Sequence, residues 1–294
     1  MKQIVCYGEV LWDMLPSGKK LGGAPLNVML RAQSFGCDAK VISSIGKDAA
    51  GDEIVEQMKT HSASIEHLQV SDSFATSEVL VKLNEAGSAS YEIKMPCAWD
   101  DIKLLDKDLE VVKAADAFIY GSLVARSLTS RVTLFALLEA ARFKVFDVNL
   151  RSPHYEFDTL LKLMVKADFI KFNDEEIFKI CNYMNGDVHS LEASIRFIAE
   201  KTRTSTICVT LGADGAVLFQ GNKFTYNKGY QVVVADTVGS GDSFLGALIS
   251  QLLSGATAQA ALDFACAVGA LVASRQGANP KIGDGEIELL LKQK

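Results

Sequence analysis

The chain contains no Gly-x-x-x-x-Gly-Lys-[Ser/Thr] segment, which excludes a Walker-type phosphate loop. No Cys-x-x-Cys, His-x-x-x-His or His-Glu-x-x-His spacing occurs either, so no pattern points to structural zinc, a redox dithiol or a zinc hydrolase. The cysteines (Cys6, Cys37, Cys97, Cys181, Cys208, Cys266) are scattered and read as small buried hydrophobes. The histidines (His61, His67, His154, His189) are expected at the surface or in loops. No apolar run approaches the length needed to span a membrane. The first residues lack the apolar stretch and cleavage site of a signal peptide, so a cytoplasmic location is expected. An excess of basic residues is also missing. With 30 Lys and Arg against 36 Asp and Glu the net charge is −6, which speaks against nucleic acid or an anionic membrane as partner.

What is present is a globular composition, 49% hydrophobic and 22% charged over 294 residues, without linker or repeat. Strand and helix patterns alternate from the start. A strand at Gln3–Tyr7 is followed by a helix from Pro25 to Phe35, a strand at Lys40–Ile45 and a helix from Asp52. Such βα alternation predicts an α/β fold, a mainly parallel sheet covered by helices. The alternation then breaks. Ser77–Leu83 and Ser88–Lys94 carry period-two patterns on either side of Asn84-Glu-Ala-Gly87, a hairpin signal for a small projecting sheet that could act as a lid. Strands resume at Ala117–Tyr120, Lys144–Asp147, Asp168–Lys171 and Thr206–Leu211, with a second hairpin across Gln220-Gly-Asn222 and helices to the end.

The most telling segment is Val234-Ala-Asp-Thr-Val-Gly-Ser-Gly-Asp-Ser-Phe244. Gln231–Val234 reads as a buried strand, Gly239-Ser240-Gly241 as a flexible turn, and Asp242 or Ser243 as the cap of a helix from Phe244. A glycine turn at a helix start leaves amides unpaired at the positive end of the helix, a cradle for an anion. Asp242 inside that cradle would repel a resting phosphate, so its presence points to chemistry: taking a proton from an attacking hydroxyl. Other polar motifs follow predicted strands, where open α/β sheets bind ligands: Asp147-Val-Asn-Leu-Arg151, Asn173-Asp-Glu-Glu176 and Gly212-Ala-Asp-Gly215. Asn173 and Glu176 could hold a hydrated Mg²⁺, or simply cap their helix. Arg151 could neutralise a phosphate oxygen. Together these are the parts that phosphoryl transfer requires.

The chain resembles the ribokinase-like (PfkB) family of sugar and nucleoside kinases along essentially its whole length. The resemblance rests on Asp236-Thr-Val-Gly-Ser-Gly-Asp242-Ser-Phe, Gly22-Gly-Ala-Pro-x-Asn27, Ile45-Gly-Lys-Asp-x-x-Gly51, Asn173-x-x-Glu176 and Thr210-Leu-Gly212-x-x-Gly215. Ser240 stands where the family usually has Ala. The resemblance implies one three-layer α/β/α domain over 1–294, with a β lid from about 9–21 and 75–98. It implies ATP and Mg²⁺, Asp242 as base, and a charge-stabilising cradle at Gly239, Ser240 and Gly241. Asp13, Gly22, Gly23 and Asn27 are then expected on the sugar. Thr210, Gly212, Gly215 and Asn279 are expected at the nucleotide, and Asp236 with Val238 at a monovalent cation such as K⁺. Gly22-Gly-Ala-Pro-Leu-Asn27 with Asp147-x-Asn-x-Arg151 is similar to the fructokinase branch, whose usual lid arginine is missing; Lys94 and Trp99 stand there instead. A fructokinase is the leading expectation. The alternatives are a ribokinase, a 2-keto-3-deoxygluconate kinase, a nucleoside kinase, or a non-catalytic sugar or nucleotide sensor. A homodimer through the lid is expected.

Overall fold

A computed structural model of the chain describes residues 1–15, 18–83 and 89–293. The strands are β1 (Gln3–Tyr7), β2 (Leu11–Leu15), β3 (Gly18–Gly22), β4 (Asp38–Gly46), β5 (Leu68–Ser71), β6 (Ser77–Leu83), β7 (Ala89–Ile93), β8 (Ala117–Gly121), β9 (Lys144–Asp147), β10 (Phe169–Asn173), β11 (Thr206–Thr210), β12 (Ala216–Gln220) and β13 (Lys223–Asn227). The helices are α1 (Ala24–Ser34), α2 (Ala49–Thr60), α3 (Asp106–Ala114), α4 (Leu128–Ala140), α5 (Phe157–Lys166), α6 (Asp174–Tyr183), α7 (Leu191–Thr202), α8 (Ser240–Leu253), α9 (Ala258–Ala273) and α10 (Asp284–Leu291).

Among the described residues, nine strands form one sheet in the order β13-β12-β11-β10-β9-β8-β1-β4-β5. All pairings from β11 through β5 are parallel, and the β11-β12-β13 edge is antiparallel. Side-chain alternation along the strands builds two cores. Ile4 and Cys6 of β1 join Leu26, Met29, Leu245 and Leu248 on one face of the sheet, under α1 and α8. Val5 and Tyr7 face the other way, with Leu134, Leu163, Ile177 and Ile198 of α4 to α7. The result is the expected three-layer α/β/α architecture. A second, mixed sheet runs β3-β2-β6-β7, with β2 and β6 parallel and both outer pairs antiparallel. The hairpin turn expected at 84–87 lies outside the described residues.

Several expectations are corrected. Gln231–Val234 is not a strand. Val233 and Val234 are 88% and 60% exposed, and the segment crosses the surface until Ala235 and Asp236 donate to the Ala273 carbonyl at the end of α9. Helix α8 begins at Ser240, not Phe244, with Gly239 rather than Asp242 or Ser243 as its N-cap. His67 is buried against Asp108, Nδ1 to Oδ1 2.7 Å. Strand β5 and helix α3 were not anticipated; β5 is short, and α3 carries only a sparse apolar stripe, Val112 being its one fully buried apolar side chain.

Candidate active site

Sheet order reverses beside β1, since the chain moves from β1 to β4 on one side and later returns to β8 on the other. Ligands of open α/β sheets bind at such a point, outside the carboxyl ends of the strands. The segments leaving β1, β8, β9, β10 and β11 there surround a polar cavity of about 270 Å³. Its walls include Glu9, Asp13, Gly23, Asn27, Asn149, Arg151, Lys171, Asn173, Glu176 and Asp242. Leu11, Val79 and Ile93 of the small sheet close it from above. A second cavity of about 230 Å³, mainly apolar, lies between the strand-β11 turn and α8–α9. Thr210, Thr237 and Gly241 line both.

The N-terminus of α8 separates the two spaces. Gly239 takes φ 74° and ψ −1°, left-handed backbone that favours glycine, and a Cβ there would lie 2.5 Å from Ala278 Cβ. The amides of Gly241 and Asp242 fall in the first turn, where an α-helix supplies no acceptor, and the helix dipole adds positive potential. Asp242 sits in this turn with its carboxylate toward the polar cavity. Asn27 Nδ2 donates to Asp242 Oδ2 at 2.8 Å. Burial, then the nearby Asp147, push the Asp242 carboxyl up to about 6, while Asn27, Lys171 and Arg151 pull it down. A carboxyl poised there is ionised at neutral pH yet more basic than an ordinary aspartate.

Asp13 lies on β2, and Gly22 of β3, paired with Leu11 two residues before it, makes room for its side chain: a Cβ on Gly22 would come within 2.2 Å of Asp13 Oδ2. Burial and Asp242 raise its carboxyl to about 6. Glu9, which sequence reasoning missed, is 4% exposed and raised by burial to about 7, Arg151 and Asp242 acting in opposite directions. Lys171 was also missed. Its Nζ lies 2.8 Å from Asp147 Oδ1, both side chains being buried. Burial works to lower the Lys171 pKa, but Asp147, Glu176 and Asp242 together hold it above its ordinary value. One signal was available, a lone cation in the apolar run Phe169-Ile-Lys-Phe172; its partner Asp147 comes opposite it only through the β9–β10 register.

Asn173 and Glu176 form a reciprocal capping box on α6: Glu176 N to Asn173 Oδ1 is 2.8 Å, and Asn173 N to Glu176 Oε2 is 2.9 Å. Leu150 N donates to the other carboxylate oxygen of Glu176 at 2.8 Å. Burial raises the Glu176 carboxyl above its ordinary range. With their oxygens so engaged, the pair fits a hydrated Mg²⁺ held through its waters better than direct ligation. Among the described residues, no group of three or more His, Cys, Asp or Glu could hold a metal ion.

Other expected site residues fall elsewhere. Trp99 is fully buried, with the Arg126 guanidinium 3.9 Å from its ring centroid, and does not reach the cavity. Arg126 is itself held by Asp100 at 2.7 and 2.8 Å and by the Lys94 carbonyl at 2.8 Å. Lys94 is exposed and outside the cavity wall. Trp99 and Asp100 thus belong to a structural cluster built around Arg126. Asn279, expected at the nucleotide, donates from Nδ2 to Asn27 Oδ1 at 2.6 Å and does not line the apolar cavity. Asp236 accepts from the amides of Val238 and Gly277 at 3.1 and 3.0 Å, with Lys20 Nζ 3.9 Å away. A cation already stands by that carboxylate, so the donor set fits a metal cation such as K⁺ poorly. Thr210, Gly212 and Gly215 do line the apolar cavity, beside Ser240 and Gly241.

The model of the pfkB family of carbohydrate kinases matches residues 1–283 of the chain. A fructokinase of Escherichia coli is 28% identical over 292 residues, covering 92% of this chain and 93% of its own. The solved structure of a fructokinase from Xylella fastidiosa with bound ATP superimposes with a TM-score of 0.85 at 23% identity, over 99% of this chain and 98% of that one. A 2-dehydro-3-deoxygluconokinase from Thermotoga maritima reaches 0.86 at 19% identity, over 99% and 100%. Backbone similarity alone therefore does not choose between these acceptors.

Proposed function

We propose that this chain, which belongs to the pfkB family of carbohydrate kinases, transfers the γ-phosphate of ATP to a primary hydroxyl of a free sugar, fructose first among them. The observation that carries this reading is the position of Asp242, a carboxylate raised to about 6 that lines the polar cavity next to Gly241, a residue lining both the polar and the apolar cavity. The apolar cavity, lined by Val232, Val234 and Ala270, suits a purine ring. The polar cavity suits a polyol, whose hydroxyls Asp13 and Asn27 can pair with.

The chemistry then follows from the geometry. Asp242 takes the proton of the acceptor hydroxyl as the sugar oxygen bonds to the γ-phosphorus and the bond from that phosphorus to the ADP oxygen breaks. Negative charge on the transferred group meets the first-turn amides of α8 and the cationic Arg151 and Lys171. Bound Mg²⁺ supplies charge neutralisation on the phosphates, and Asn173 and Glu176 would hold its waters. The small sheet, with Leu11, Val79 and Ile93 over the cavity, would act as a lid excluding water. A face of this lid would pack against a second copy in a homodimer, which light scattering can check.

A sugar acid is a poorer fit than a neutral sugar. Its carboxylate would face Glu9, Asp13 and Asp242, and of the cations in the wall Lys171 is already paired with Asp147. The reading is tested by ADP release from ATP and Mg²⁺ with a panel of free sugars, sugar acids and nucleosides. Fructose-dependent release supports it. Release only with a sugar acid or a nucleoside would replace the proposed acceptor, and none with any compound would leave a sensor as the better reading.

A further inference from the structure

Glu9 belongs to none of the segments that mark the site in the sequence. It follows β1 after Gly8, at the point where sheet order reverses, and its side chain is 4% exposed. Helix α1 has no side-chain cap on its N-cap Gly23, and the amides of Glu9 itself and of Ala24 favour the charged form of the Glu9 carboxyl. Those amides account for part of the carboxyl group only. Oε2 is buried with no hydrogen-bond partner, and Glu9 belongs to the wall of the polar cavity that holds Asp13, Asn27 and Asp242. Proteins leave few buried acceptors unpaired, because such an atom has given up water without replacement. A helix-capping role needs one oxygen; the second, left unpaired on a residue that lines the polar cavity, gains a partner only when a donor arrives beside it.

We infer that Glu9 reads the acceptor: Oε2 takes a hydrogen bond from a sugar hydroxyl other than the one phosphorylated. The inference rests on the sugar-kinase reading above and adds a specificity-determining residue to it. It also narrows the substrate class, since Glu9, Asp13 and Asp242 bring carboxyl groups to one small space. A neutral polyol offers that space hydroxyl donors, whereas a sugar acid brings like charge.

The test uses the full chain with Glu9→Gln and Glu9→Leu. Steady-state kinetics are measured with the best sugar of the panel and each of its mono-deoxy derivatives, and sugar-induced thermal shifts are recorded without ATP. In Glu9→Leu the KM for the sugar should rise roughly ten- to a hundredfold while the KM for ATP stays unchanged. Its sugar-induced thermal shift should vanish. One deoxy sugar that the wild type handles poorly should be no worse than the parent sugar in Glu9→Leu, a coupling that capping alone cannot produce. Glu9→Gln, which keeps the size and one acceptor, should fall between. Lower thermal stability with unchanged sugar KM and unchanged deoxy-sugar preference would make Glu9 a helix cap and overturn the inference. Should Glu9→Leu fail to fold, the same readouts in Glu9→Gln decide. A wild type inert toward every sugar defeats the parent reading, whereas an active wild type with an indifferent Glu9 defeats this inference alone.

Discussion

Asn27 Nδ2 donates to Asp242 Oδ2 at 2.8 Å across 215 positions of sequence, tying α1 to the first turn of α8. Asn279 Nδ2 in turn donates to Asn27 Oδ1 at 2.6 Å, which fixes the Asn27 amide with its donor toward the carboxylate. The proposed base is thereby oriented by a residue from the sugar side of the cavity. Because the bond favours the charged form of Asp242, removing it should raise the carboxyl pKa further. Asn27→Ala should therefore shift the acid limb of the kcat/KM profile to higher pH than in wild type, where it should lie near 6. A pH–rate series on both proteins checks this; an unmoved limb would mean that Asn27 serves binding only.

The same burial makes Asp242 a liability to the fold. Its carboxyl binds a proton more tightly when folded, at about 6, than at its ordinary 3.8, so the proton-linked stability is complete below 3.8 and is lost as pH rises through 6. Asp242→Asn keeps the shape and carries no charge. Its Tm should exceed that of wild type by a margin that widens between these two pH values and then levels. Thermal melts across the range measure that margin, and a constant margin would contradict the burial argument.

Lys171 and Asp147 stand 2.8 Å apart on neighbouring strands, both shielded from water. Removing one partner strands the other as a buried charge. Lys171→Met alone should cost about 3–5 kcal/mol, and the double change Lys171→Met with Asp147→Asn should recover much of it. Denaturant unfolding of the two single variants and the double variant gives the coupling directly. Simple additivity would show that the pair is not interacting.

Much of the architecture was legible because the buried strands are continuous apolar runs with flanking helices at regular spacing. The turn at Gly239 was legible because its chemistry is local, confined to the residues from Asp236 to Phe244. What escaped was non-local. The lone cation Lys171 gains its meaning from Asp147, a partner set by strand register. Glu9 gains its meaning from the distant start of α1. Trp99 and Lys94 looked like ligand contacts because they stand where the similar fructokinase branch usually carries a lid arginine, but Arg126, far along the chain, claims the Trp99 ring and the Lys94 carbonyl. Val232 and Val234 look like strand residues in sequence, yet they line the apolar cavity, a use of β-branched residues that periodicity cannot distinguish from a sheet.

The most direct measurement is sugar-dependent ADP release by wild type and Asp242→Asn at saturating ATP, Mg²⁺ and sugar, with ATP binding followed by calorimetry. With Asp242 as the base, kcat should fall by roughly 10²- to 10⁴-fold while ATP affinity is unchanged. An Asp242→Asn enzyme that turns over at the wild-type rate would contradict the account at its centre.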